Sequence, residues 1–138
     1  DLIGFGLTSI SETEKAYFQN YKDLKSYEKA IDEGKLPVFR GVMLNEEDLI
    51  RKYVIMEMMA NFSFDIERFE KTFGINFKEK FENELKELEE FIKEGLVEIT
   101  PKKILVNKTG SLLIRNIVLP FDEYFKKMAN QKVFSKSI

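Results

Sequence analysis

The sequence has no cysteine, no histidine and no tryptophan among its 138 residues, and only three prolines. The first two absences remove thiolate nucleophiles, imidazole bases, disulfides and nearly every soft-metal site. Any metal chemistry must therefore be supplied from elsewhere; no catalytic or metal-ligating residue is assigned in this chain. Lack of cysteine fits a reducing cytoplasm. No run of about eighteen apolar residues is present, and the first residues lack the basic, apolar, small-residue order of a secretory signal, so nothing directs the chain into a membrane. An excess of positive charge is missing as well. The net charge is −2 and the pI near 5.4, whereas nonspecific attraction to nucleic acid needs clustered Lys and Arg.

What is present is the apolar content of a globular domain. Hydrophobic residues make up 43% and charged residues 33%, with 13 Phe and 5 Tyr. A chain of this length buries roughly two thirds of its unfolded surface on folding. The opening Asp1-Leu2-Ile3-Gly4-Phe5-Gly6-Leu7-Thr8-Ser9-Ile10-Ser11 carries no charge after Asp1 and has two glycines spaced by one. It reads as a buried, parallel-type strand running into a turn, and such a strand needs neighbours on both sides, so the chain reads as part of something larger. Tyr17 to Tyr21 reads as a short aromatic strand, although Ser11 and Glu14 also match a capping box for an earlier helix.

Asp23 is placed to cap a helix in which Leu24, Tyr27 and Ile31 share a face and which Gly34 ends. Pro37 then forces an extended link through Val38 to Gly41. Asn45 caps a helix of about four turns with Leu49, Tyr53, Met56 and Ala60 on one face. Asp65 caps a short helix that Gly74 stops. A long helix is expected from about Phe77 to Glu94, with Phe77, Phe81, Leu85, Leu88 and Ile92 on one stripe. The stretches 96–100 and 103–107 alternate as a hairpin around Pro101-Lys102, and Thr109 caps a last helical region that Pro120 interrupts. The expected fold is mainly α with a small β-hairpin, winged-helix-like over 42–138, with residues 1–41 as a preceding strand segment and linker.

Ordered along the chain, Gly4-Phe5-Gly6-Leu7-Thr8-Ser9-Ile10-Ser11, Tyr17-Phe18-Gln19-Asn20, Phe39-Arg40-Gly41, Arg51-Lys52-Tyr53 and Asn61-Phe62-Ser63-Phe64-Asp65 follow one another at a family's spacing. Gly95-Leu96-Val97, Thr109-Gly110, Leu112-Leu113-Ile114-Arg115-Asn116 and Phe121-Asp122-Glu123-Tyr124 extend the match nearly to the end. In these features the chain resembles the C-terminal portion of the oxygen-independent coproporphyrinogen III oxidases, which are radical S-adenosylmethionine (SAM) enzymes of heme biosynthesis. The resemblance implies that residues 1–41 end a radical SAM catalytic barrel, which is the chain's partner. It also implies that the whole enzyme uses SAM and a 4Fe-4S cluster to decarboxylate coproporphyrinogen III oxidatively to protoporphyrinogen IX. The family's C-x-x-x-C-x-x-C cluster motif is absent here, so this chain alone is expected to be inactive and to bind no cluster.

On the matched positions, Gly4, Gly6, Gln19 and Asn20 are implied to be cofactor-binding and Arg40 to meet a substrate propionate. Each has a bland counterpart: a G-x-G is commonly a tight turn, an amide pair commonly satisfies local backbone, and an arginine commonly pairs with a glutamate. Arg51 and Arg115 read as ion pairs or packing stems, Met56, Met58 and Met59 as packing, and Phe77 and Phe81 as core. Two other readings share the C-terminal layout: a heme-chaperone-like paralogue, and a winged-helix module that docks protein. A DNA-reading version of the latter is disfavoured, because the 77–94 stretch carries seven glutamates against four lysines.

Overall fold

The computed structural model describes residues 1–127, and these divide into two compact units, one over Asp1–Leu49 and one from Ile50 onward. Helices and two small sheets alternate along the chain.

The first unit is built on a three-stranded antiparallel meander: β1 (Ile10–Glu12), β2 (Ala16–Asn20) and β3 (Val38–Met43), in that spatial order. The aromatic strand expected near Tyr17 is β2, and Ser11 lies in β1 and does not open a helix. Two expectations are corrected. Residues 1–11 are not one buried parallel-type strand; the chain turns back on itself, so that Leu2 bridges Glu12 antiparallel. The cause is local: Gly6 sits at φ 90° and Thr8 at φ 61°, conformations no strand can contain. Val38 to Gly41 is likewise not a free link but the start of β3, whose pairing with β2 satisfies its backbone.

Helix α1 (Leu24–Asp32) joins β2 to β3 and is capped by Asp23, whose carboxylate accepts from the Ser26 N–H at 2.8 Å. That bond to a backbone donor holds the Asp23 carboxyl below its ordinary range. Ala30, not Leu24 or Ile31, is the buried residue of α1. It is the only buried hydrophobic residue of this unit's described residues, while Leu2, Phe5, Ile10, Leu36, Phe39 and Met43 are exposed, Phe5 to 89% and Leu36 to 81%. The unit has a sheet but almost no core.

Helix α2 (Glu46–Asn61) begins with a reciprocal cap: Asn45 Oδ1 accepts from the Asp48 N–H at 2.9 Å, and Asp48 Oδ2 accepts from the Asn45 N–H at 3.0 Å. Its buried residues are Val54 and Met58. The expected face through Met56 and Ala60 is exposed instead. Apolar residues occur on nearly every side of this helix, so the period alone does not choose between stripes.

The second unit continues with β4 (Ser63–Asp65), α3 (Ile66–Phe73), α4 (Phe77–Lys80), α5 (Glu82–Glu87), α6 (Glu89–Lys93), β5 (Val97–Ile99), β6 (Lys103–Val106) and α7 (Ile114–Val118). The expected hairpin is β5–β6, with Val97 opposite Val106; β4, which the sequence reading lacked, pairs with β6 to complete a sheet of order β4-β6-β5. Asp65 caps α3 as expected, through a 2.9 Å bond from the Arg68 N–H. The long helix of 77–94 is instead three short ones. Its breaks fall on Phe81 and Leu88, both fully buried. At the second, the Leu88 N–H bonds to Leu85 rather than to residue 84, an overwound step that advances the helical phase. Phe91 consequently packs on the core and Ile92 is exposed. Asn107, not Thr109, caps the turn that follows β6, its Oδ1 accepting from the Gly110 N–H at 2.8 Å.

The core of this unit is aromatic. Phe64, Phe69, Phe77, Phe81 and Phe121 are all buried and their rings meet in tilted, edge-on and, for Phe77 with Phe121, stacked pairs with centroids 4.9–6.5 Å apart.

Candidate functional site

All five residues singled out in the sequence lie in the first unit, and side-chain hydrogen bonds link them around one loop. Consecutive residues of a strand ordinarily face opposite ways. Here Gln19 and Asn20, at the end of β2, both grip residues 4–8. Asn20 Nδ2 donates to the Gly6 carbonyl at 3.0 Å and to the Gly4 carbonyl at 3.4 Å. Gln19 Nε2 donates to the Thr8 carbonyl at 3.0 Å. A register shift between Gln19 and Asn20 accompanies this: Gln19 pairs with Arg40 and Asn20 with Val38, leaving Phe39 as the bulged residue.

The glycines serve different purposes. A Cβ at Gly4 would stand 2.8 Å from the Ser9 Cβ and 2.9 Å from the Ile10 carbonyl oxygen, so the chain's own packing requires glycine there. At Gly6 the nearest atom to such a Cβ would be Ser9 Oγ at 4.0 Å, and it is the φ of 90° that demands glycine. That leaves open space beside the Gly6 backbone. Arg40 Nε donates to Gln19 Oε1 at 3.1 Å, which joins the fifth residue to the group.

Sequence reasoning missed Ser11 and Thr8. Ser11 is 1% exposed and its Oγ accepts from the Gly4 N–H at 3.0 Å, while Asn20 is 5% exposed. Together they hold the loop from beneath. The dense Thr8-Ser9-Ile10-Ser11 run was the available signal. Arg51 lies outside this group: it forms ion pairs with Glu84 and Glu123 in the second unit. Arg115 is exposed on α7. Met58 packs in the core, whereas Met56 and Met59 are exposed. Among the described residues no group of three or more Asp, Glu, His or Cys is arranged to hold a metal ion, and no helix is long and apolar enough to cross a membrane.

A groove of about 540 Å³ lies in the second unit, lined by Glu87, Phe91, Asn116, Leu119, Pro120 and Phe125, with Lys126 paired to Glu87 at 2.6 Å. None of the five singled-out residues lines it, and its ion pair, Glu87 with Lys126, is engaged with itself. The chemistry-bearing constellation is the loop of the first unit.

Comparison with known proteins gives this chain a family. The profile of the HemN C-terminal domain matches residues 44–113. The chain belongs to the HemN C-terminal domain family. Similarity extends well beyond that domain: a protein of Helicobacter pylori (strain ATCC 700392 / 26695) named oxygen-independent coproporphyrinogen III oxidase is 46% identical over 136 residues, 99% of this chain and 29% of the relative. The protein of that name from Escherichia coli (strain K12) is 39% identical over 138 residues, all of this chain and 30% of the relative. This chain thus spans just under a third of these relatives' length. Among solved structures, coproporphyrinogen III oxidase (HemN) from Escherichia coli, described as a radical SAM enzyme, superposes with a TM-score of 0.83 at 40% identity, over 90% of this chain and 29% of that one. The first unit, most of which precedes the family domain, lies within the full-length alignment to the Escherichia coli relative.

Proposed function

We propose that this chain is the C-terminal part of an oxygen-independent coproporphyrinogen III oxidase, which oxidatively decarboxylates coproporphyrinogen III to protoporphyrinogen IX. The carrying observation is similarity to proteins of that name at 35–46% identity along essentially the whole chain, the Gln19-Asn20 and Arg40 unit included. In this reading residues 1–41 end the catalytic barrel and lead into a helical domain over 42–138, whose last residues lie outside the described ones. The order helix, strand, helices, hairpin, with β4 paired to β6, supports a winged-helix-like domain that covers the barrel mouth. The almost coreless first unit supports a barrel that covers its exposed apolar side chains. Such burial is worth roughly 25 cal/mol per Å².

The donors present support contact with one of the two cofactors rather than the other. A 4Fe-4S cluster needs thiolates, and the chain has no cysteine, so the cluster's ligands belong to other parts of the enzyme. SAM fits better: Gly6 leaves backbone open to close approach, and the Gln19 amide retains one N–H and one lone pair beyond its two bonds. Gly4 and Asn20 keep that loop in place. When bound, SAM and the cluster supply the one-electron chemistry. At the substrate each of the two reacting propionates would lose a hydrogen atom, then CO₂ and one electron, leaving a vinyl group. The part of this chain is to bind, orient and exclude water: Gly6 and Gln19 flank SAM, Arg40 receives a propionate, and the cytoplasm is the setting.

Product analysis tests the reading. The full-length protein, reconstituted anaerobically, is expected to form protoporphyrinogen IX; tight heme binding without turnover would assign it instead to a heme-chaperone branch.

A further inference from the structure

Gln19 uses both ends of its amide, and each end has a different kind of partner. Its Nε2 donates to the Thr8 carbonyl at 3.0 Å and its Oε1 accepts from Arg40 Nε at 3.1 Å. Flipping the amide would set oxygen against the Thr8 carbonyl and NH₂ against a guanidinium N–H, two repulsive contacts, so the pair of partners fixes one orientation. The Thr8 end is itself constrained. A β-branched residue at φ 61° is held there by its N–H bond to the Tyr21 carbonyl at 2.9 Å and by the Gln19 amide. The Arg40 end is aligned by strand register, since Gln19 and Arg40 stand directly opposite across β2 and β3. With Nε engaged, the two terminal nitrogens of the guanidinium have no partner among the described residues. They form the end of the fork that matches a carboxylate with two parallel N–H bonds.

We propose that Gln19 is a positioning residue that acts through Arg40, locking its guanidinium so that the free terminal nitrogens take a carboxylate of the substrate. This rests on the oxidase reading above and adds to it the path by which Gln19 contributes to substrate binding. A lysine at position 40 would keep the charge and lose both the Gln19 bond and the fork.

A double-mutant cycle in the full-length reconstituted protein tests it. KM and kcat for coproporphyrinogen III are measured anaerobically for wild type, Gln19→Leu, Arg40→Ala and the double variant, with iron content and thermal midpoint as controls. Loss of the oriented charge-assisted contact should raise KM by about tenfold in each single variant with kcat changed far less. At saturating SAM, the KM for coproporphyrinogen III of the double variant should be no worse than that of Arg40→Ala, because Gln19 has no guanidinium left to orient. A double variant whose KM rises by the product of the single effects, about a hundredfold, overturns the proposal, as does an Arg40→Ala protein with wild-type KM. If Gln19→Leu does not fold, Gln19→Met carries the cycle: its uncharged, flexible side chain offers Arg40 no comparable acceptor, so its effect on the KM for coproporphyrinogen III too should vanish on the Arg40→Ala background. Equilibrium binding of coproporphyrin III, a stable tetracarboxylate, repeats the cycle without turnover and separates the two failures. Binding that follows the cycle without turnover overturns the oxidase reading alone; turnover with additive effects overturns the Gln19–Arg40 coupling alone.

Discussion

Arg51 of α2 and Glu84 of α5 form an ion pair of 2.9 Å with side chains only 11% and 9% exposed. The same guanidinium nitrogen donates to the Phe121 carbonyl at 3.2 Å, a second reaches Glu123 at 3.3 Å, and the group lies 5.4 Å from the centre of the Phe81 ring. One cation thus fastens three segments that are far apart in sequence. Removing it leaves the Glu84 carboxylate buried, so Arg51→Ala should destabilise the chain by about 3–5 kcal/mol in chemical denaturation. Replacing both partners with apolar residues, Arg51→Met with Glu84→Leu, should recover most of that loss. A change under about 1 kcal/mol for the single variant is what an exposed pair would give, and would contradict this account.

The broken helix makes a prediction about phase. Phe91→Ala should cost more than Ile92→Ala, because the overwound step at Leu88 turns Phe91 toward the core and Ile92 toward solvent. Phe81→Ala, at a fully buried site against the rings of Phe69, Phe77 and Phe121, should cost about 3–5 kcal/mol. A continuous helix would give the opposite order for 91 and 92, and denaturation of the two variants decides it.

Gly110 is buried where β6 turns into the last helical region, and a Cβ there would stand 2.6 Å from the Leu96 carbonyl oxygen and 2.9 Å from a Val106 methyl. Gly110→Ala must move backbone to fit. We expect a loss of about 1–3 kcal/mol, read as a lower denaturation midpoint; a neutral substitution would mean that the contact between the β5 edge and this turn is looser than described.

Asp23 gives a pH-dependent local effect. Its carboxyl is held below the ordinary aspartate value by the Ser26 N–H, so its support of α1 is complete above the unfolded-state pKa of about 3.9 and fades as pH falls below that value. Amide exchange should show the first turn of α1 fraying on acidification in the wild-type chain. In Asp23→Ala the same turn should be frayed at neutral pH already, with little further change.

Most of the element order was legible from sequence because caps are local: Asp23, Asn45 and Asp65 each carry a side chain that bonds the backbone three residues on, and Gly34, Gly74 and Gly95 stop helices at positive φ. What was misread depends on tertiary contacts. β4 is three residues long and exists by pairing with β6 across some forty residues, which no local pattern announces. The breaks at Phe81 and Leu88 and the choice of Val54 and Met58 as the buried face of α2 are decided by packing. At the candidate site the residue types were readable, but not their division of labour. That Asn20 holds the loop while Gln19 reaches Arg40 follows from a bulge at Phe39, which only the strand register exposes.

The proposed place of this chain in an enzyme that removes two propionate carboxyls from coproporphyrinogen III is open to one direct test. The direct measurement is the count of CO₂ released per substrate by the full-length, cluster-loaded protein under anaerobic conditions with SAM and a reductant. Two equivalents of CO₂ with protoporphyrinogen IX as product is the predicted result; SAM cleavage with no CO₂ release and unchanged porphyrinogen would contradict it.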